Sequence, residues 1–144
     1  MYRFHHVALS VSDRERSVTF YEQLGFRVVH HYQAPDNTLS ITHLKLGDMM
    51  LELFHYKKDR QPAPASIHST NTDLPVIGTK HFGLRVDDIE AAKADLVRKG
   101  MVAQDVKIKQ GRTGPLFFFI SDPDGILVEI AQDDREFWQV HEQG

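Results

Sequence analysis

The chain writes one pattern twice. "HVALSVSDRE" begins at His6 and "HFGLRVDDIE" begins at His81; in the same ungapped register Leu9 meets Leu84, Val11 meets Val86, Asp13 meets Asp88, Glu15 meets Glu90 and Gly25 meets Gly100. A repeat that carries strand residues, helix caps and a terminal glycine together predicts two similar supersecondary units, each unable to bury its apolar face alone. At 144 residues there is room for two half-size modules sharing one core.

The order of elements follows from periodicity. Residues 4–11 alternate, with Val7, Leu9 and Val11 on one side and Phe4, His6, Ala8 and Ser10 on the other, which predicts a half-buried strand. A helix follows, capped by Ser12 or Asp13, with Val18, Tyr21 and Leu24 at helical spacing and Gly25 as its left-handed stop. Three strand-like runs come next, "FRVVHHYQ", "LSITHLKLG" and "MMLELFHY", the last two parted by Gly47 and Asp48. The second module repeats this with a strand from His81, a helix over 87–99 stopped by Gly100, and strands in "VAQDVKI", "PLFFFIS" and "ILVEIAQ". The reading is an α+β fold of two tandem β-α-β-β-β modules, 4–56 and 80–132, whose mixed sheets side by side make a curved, open trough. Residues 57–79, rich in Pro, Ser, Thr and Asn, form the connector, part of which is long enough to close over a site. Residues 133–144 are a tail with a short helix expected through Phe137 and Trp138.

Composition removes several function classes. Seventeen basic residues against twenty acidic ones give a net charge of −3, so no general attraction to nucleic acid or anionic lipid is expected. With no cysteine there is no disulfide, thiolate zinc site or thiol nucleophile, which fits the cytoplasm as the expected location. Neither a secretion signal nor a membrane span is encoded in the apolar runs.

Nine histidines direct attention to metal or acid–base chemistry. In "MMLELFHY" the alternation sets Glu52 beside Met50 and Phe54, and in "ILVEIAQ" it sets Glu129 beside Leu127 and Ala131. A carboxylate on such a face requires a charged or hydrogen-bonded partner. His6 and His81 lie on the strand face away from the helices, at matching repeat positions. A lone strand histidine is most often no ligand; two histidines and two glutamates at equivalent places predict a site. His6, Glu52, His81 and Glu129 make a nitrogen and oxygen set suited to one divalent ion, Zn²⁺, Ni²⁺, Co²⁺, Mn²⁺ or Fe²⁺, and spacing does not choose among them. His5 is expected on the opposite face from His6. His30, His31, His43, His55, His68 and His141, without repeat partners, are read as surface or structural residues.

The segments "HHVALSVSDRERSVTFYEQLGF", "KHFGLRVDDIEAAKADLVRKG" and "FFFISDPDGILVEIAQ" resemble the two modules and closing hairpin of the vicinal oxygen chelate superfamily, which has the glyoxalase/bleomycin resistance/dihydroxybiphenyl dioxygenase fold. His6, Glu52, His81 and Glu129 match the metal ligands of glyoxalase I. The resemblance implies a glyoxalase-like lyase or isomerase in which the ion chelates neighbouring oxygens of a small substrate and stabilises an enediolate. Glu129 stands where the glyoxalase base stands, and Glu52 would serve the opposite face. It also implies a homodimer. Ser10 stands where glyoxalase I often has an arginine for a glutathione carboxylate, which speaks against glutathione as cosubstrate. Arg85, on the face of His81, is a candidate for an anionic substrate group. Arg112, in the glycine-flanked loop "KQGRTGP", and Phe119, in the run "FFF", are candidate substrate contacts. Two alternatives from the same superfamily are a non-haem iron extradiol-type dioxygenase and a non-enzymatic drug-binding resistance protein.

Overall fold

The structure is a computed structural model that describes residues 2–136. The chain divides into two compact units, Met1–Pro64 and Ala65–Gly144. Each holds one four-stranded mixed sheet and a ten-residue helix, an α+β arrangement.

In the first unit, β1 (Val7–Ser10), α1 (Arg14–Gln23), β2 (Arg27–Gln33), β3 (Leu39–Leu46) and β4 (Met49–Tyr56) give a sheet ordered β1-β4-β3-β2. β1 runs parallel to β4 and the remaining pairs are antiparallel. Asp13 is the residue that caps α1, its Oδ1 accepting the Arg16 backbone N–H at 3.0 Å. Gly25, at φ 97°, turns the chain out of the helix, where a side chain would be strained. Tyr21, Phe26, Leu44, Leu51 and Leu53 are almost fully buried and form the core of this unit. Gly47 and Asp48 form the two-residue connection that fixes the β3–β4 register, so His43 stands directly opposite Glu52.

Following Ala65–His68, a short 3₁₀ segment, and α2 (Thr70–Asp73), the second unit contains β5 (Phe82–Arg85), α3 (Ile89–Arg98), β6 (Lys109–Gln110), β7 (Leu116–Ser121) and β8 (Leu127–Gln132). Its sheet, β5-β8-β7-β6, repeats the first topology, with β5 parallel to β8. Asp88 caps α3 through the Ala91 N–H at 2.9 Å. Phe118, Ile120, Val128 and Ile130 on β7 and β8 are buried, as are Ile89 and Leu96 of α3. Asp122 closes the β7–β8 turn, accepting the backbone N–H groups of Asp124 and Ile126 at 2.9 Å each.

Several sequence expectations shift. The strand expected in "VAQDVKI" is replaced by turns, and only Lys109 and Gln110 pair with β7. The reason is local: Val106 N–H bonds back to the Ala103 carbonyl, and Lys93 Nζ of α3 takes the Val106 carbonyl at 2.6 Å, so these groups are satisfied without a ladder. The connector is partly helical, and its Asp73, 5% exposed, pairs with Lys80 at 3.2 Å. The first strand starts at Val7 rather than at Phe4. The expected tail helix at Phe137 and Trp138 lies outside the described residues. Among the described residues no helix is long and apolar enough to cross a membrane.

Candidate functional site

In the first unit the site is built on β4. Leu51 and Leu53 point into the core, so the pleat sends Glu52 to the other face. Its carboxylate is held from two sides: His43 Nε2 lies 2.7 Å from Oε2, and His6 Nε2 lies 3.6 Å from Oε1. The Glu52 side chain is 20% exposed, which makes these contacts a requirement for a charged carboxylate. His30 extends the row, with its ring 5.7 Å from that of His43.

Two histidine assignments change here. His43 is not a surface or structural residue without relation to the site, for it is the shortest contact of Glu52. The sequence held the signal: a two-residue turn at Gly47 and Asp48 pairs residues symmetrically outward, and counting back from it sets His43 against Glu52. His5 is not directed away from His6. Their Nδ1 atoms are 2.7 Å apart, one donating and the other accepting, and their rings meet edge to face. Both residues precede Val7, where pairing begins, so strand alternation does not separate them.

The second unit carries the matching pair. His81 Nε2 lies 2.9 Å from Glu129 Oε2, with the two side chains 24% and 26% exposed. Phe119, the cross-strand partner of Glu129, meets the His81 ring edge-on at 4.9 Å. Phe119 thus occupies in β7–β8 the place that His43 occupies in β3–β4. A cavity of about 470 Å³ is lined by His81, Glu129, Phe117, Phe119, Lys107 and Lys109, among others. Its wall is mostly apolar, with Lys107 and Lys109 as the cationic residues among its lining, a composition usual for a small-molecule site. Sequence reasoning misses the two lysines because Lys107 falls in "VAQDVKI", which reads as a plain strand, and Lys109 in "KQGRTGP", a loop in which Arg112 is the expected substrate contact.

Arg85 lies two residue pairs beyond Gly83 and Glu129 along β5, on the His81 face, and Arg112 sits in the exposed turn between β6 and β7. Neither is among the residues lining the cavity, whereas Phe119 is. The four residues expected to hold a metal lie as two imidazole–carboxylate pairs, His6–Glu52 and His81–Glu129, one in each unit. Among the described residues no three or more His, Cys, Asp or Glu side chains converge as a metal-holding group. In donor chemistry each pair fits a divalent ion of the zinc to iron series, offering one imidazole nitrogen and one carboxylate oxygen within reach of each other.

The two units thus repeat one β-α-β-β-β topology, each with one histidine–glutamate pair. The chain belongs to the Glyoxalase/Bleomycin resistance protein/Dioxygenase superfamily, whose family description matches residues 3–130. Human mitochondrial methylmalonyl-CoA epimerase is 30% identical over 133 residues, covering 90% of this chain and 73% of that protein. Lactoylglutathione lyase of Pseudomonas putida is 30% identical over 149 residues, 90% of this chain and 84% of the relative. The crystal structure of a glyoxalase family protein from Enterococcus faecalis superposes with a TM-score of 0.73 at 29% identity, over 90% of this chain and 96% of the other.

Proposed function

We propose that the chain is a metal-dependent isomerase or lyase that moves a proton at a carbon next to a carbonyl, on a small substrate with two neighbouring oxygens. The observation that carries this reading is the His81–Glu129 pair beside an aromatic-walled cavity, echoed by His6–Glu52 at the equivalent place in the other unit. A divalent ion held by His6, Glu52, His81 and Glu129 would supply charge neutralisation to the substrate oxygens as negative charge develops there.

The side chains supply the rest. Glu129 takes the proton from the carbon, since it is the carboxylate that lines the cavity. Without the ion His81 Nε2 and Glu129 Oε2 hold each other at 2.9 Å; with it both atoms would turn to the ion, and Phe119, edge-on to the His81 ring, keeps the plane of that imidazole. Glu52, oriented by His43, is the matching carboxylate of the first unit; for inversion it would first take a proton from solvent and then deliver that proton to the opposite face of the carbon, while Glu129 loses its own to solvent. Phe117 and Phe119 exclude water, and Lys107 and Lys109 meet an anionic portion of the substrate. Relatives named as an epimerase and as a lyase agree with one proton-transfer chemistry applied to different substrates.

The test follows deuterium from solvent by proton NMR, with metal-loaded protein and either methylmalonyl-CoA or methylglyoxal with a series of thiols. Exchange or turnover is expected with one of these, and Glu129→Gln lowers it by about 10²- to 10⁴-fold. Full activity of Glu129→Gln would show the base assignment to be wrong. Oxygen uptake with catechols and Fe²⁺ would replace proton transfer with the dioxygenase reading.

A further inference from the structure

The first unit has a second cavity, of about 370 Å³, on the face of its sheet opposite to Glu52. Its character is unlike that of the first. Arg14, His31, His55, Lys57, Ser12 and Ser40 all line it, so its wall is rich in hydrogen-bond donors. We propose that this cavity binds a small phosphoryl oxyanion, either free phosphate or a phosphate monoester, at a site separate from the histidine–glutamate pairs.

The site is pre-organised from beneath. Thr42 has no exposed surface, and its hydroxyl oxygen accepts from Arg14 Nε at 2.8 Å while lying 3.0 Å from His31 Nδ1. One buried hydroxyl on β3 therefore sets both a guanidinium from α1 and an imidazole from β2. The bond uses Nε of Arg14 and leaves its two terminal amino groups, the fork that grips a phosphate through paired hydrogen bonds. Among the described residues no ion pair joins Arg14 or Lys57 to a carboxylate. Arg60 adds a further guanidinium at the edge, donating to the Ser12 carbonyl.

Two acids also line the cavity, Asp13 and Glu15. Asp13 is engaged by the helix, accepting the Arg16 N–H, and Glu15 is exposed in the first turn of α1. His31 has its pKa held below the ordinary 6.5 by burial first, then by the charges of Arg14 and His30, so it meets a ligand chiefly as a hydrogen-bonding group and the charge on that side comes from Arg14 and Lys57. A doubly charged tetrahedral anion satisfies these donors better than a single carboxylate does, because it presents more acceptor oxygens. The volume falls in the range of roughly 300–1,000 Å³ usual for small-ligand sites, so a monoester fits as well as the bare ion.

The full chain is titrated at constant ionic strength with inorganic phosphate, glycerol 3-phosphate and acetate, using calorimetry and phosphorus NMR. Saturable binding of either phosphate, but not acetate, is expected. Arg14→Gln weakens it about tenfold or more and Arg14→Lys less, the fork being lost while the charge is kept. Tighter binding of glycerol 3-phosphate points to an organic ligand, and equal binding points to free phosphate. Glu129→Gln and Lys109→Gln leave both affinities unchanged. The proposal is overturned if neither phosphate saturates, if acetate binds equally well, if Arg14→Gln binds as the parent does while melting at the same temperature, or if Lys109→Gln abolishes binding instead.

Discussion

Removing His43 is the sharpest probe of how Glu52 is held. Its Nε2 is 2.7 Å from Oε2, and the two side chains are 26% and 20% exposed, so solvent screens the contact only in part. Hydrogen bonds to charged groups contribute about 1.5–3 kcal/mol when buried. Partial exposure, and the second contact from His6 at 3.6 Å, bring the cost of His43→Ala down to about 1–2 kcal/mol. For a chain of this size that lowers the melting temperature by about 2–4 °C per kcal/mol. The assay is a double-mutant cycle with Glu52→Gln, read by thermal and urea unfolding of protein kept metal-free with a chelator. A coupling energy near 1 kcal/mol is expected. If the two substitutions are additive within about 0.3–0.5 kcal/mol, His43 does not hold Glu52, and its part in orienting the carboxylate falls with it.

Leu51, with no exposed surface, is expected to cost about 2–5 kcal/mol as Leu51→Ala, measured by urea unfolding, because the cavity left under the sheet closes only in part. Asp88→Ala removes the cap of α3 and costs about 0.5–2 kcal/mol, with helical signal lost first on heating. His31 binds its proton less readily in the folded chain than in the unfolded one. Its effect on stability is therefore absent above pH 6.5 and destabilising as pH falls below that value, where the unfolded chain takes up the proton first. His31→Gln should shallow the acid limb of a stability–pH curve; an unchanged limb refutes the assignment.

Much of this protein is legible from local chemistry. The alternation of apolar residues decides that Glu52 and Glu129 leave the core face, since the strand period is two whatever the sheet beyond it. A cap needs only residues within one turn, so the first helix start is narrowed to Ser12 or Asp13 by sequence, and the hydrogen bond to Arg16 chooses Asp13. The repeat itself fixes the order of elements in both units. Other features depend on pairing between distant segments. The parallel docking of β1 on β4, which brings His6 towards Glu52, joins residues far apart in sequence and leaves no short-range signature. Where pairing stops also matters: His5 escapes strand alternation only because the ladder begins at Val7. Lys107 reaches the aromatic cavity because turns and the Lys93 contact win over strand propensity between α3 and β6, and Lys109 because β6 pairs it with Phe117. Sequence alone determined which side chains face away from each core, through local periodicity; which of them touch was decided by register and docking, because those depend on the free energy of contacts between segments that the chain brings together only on folding.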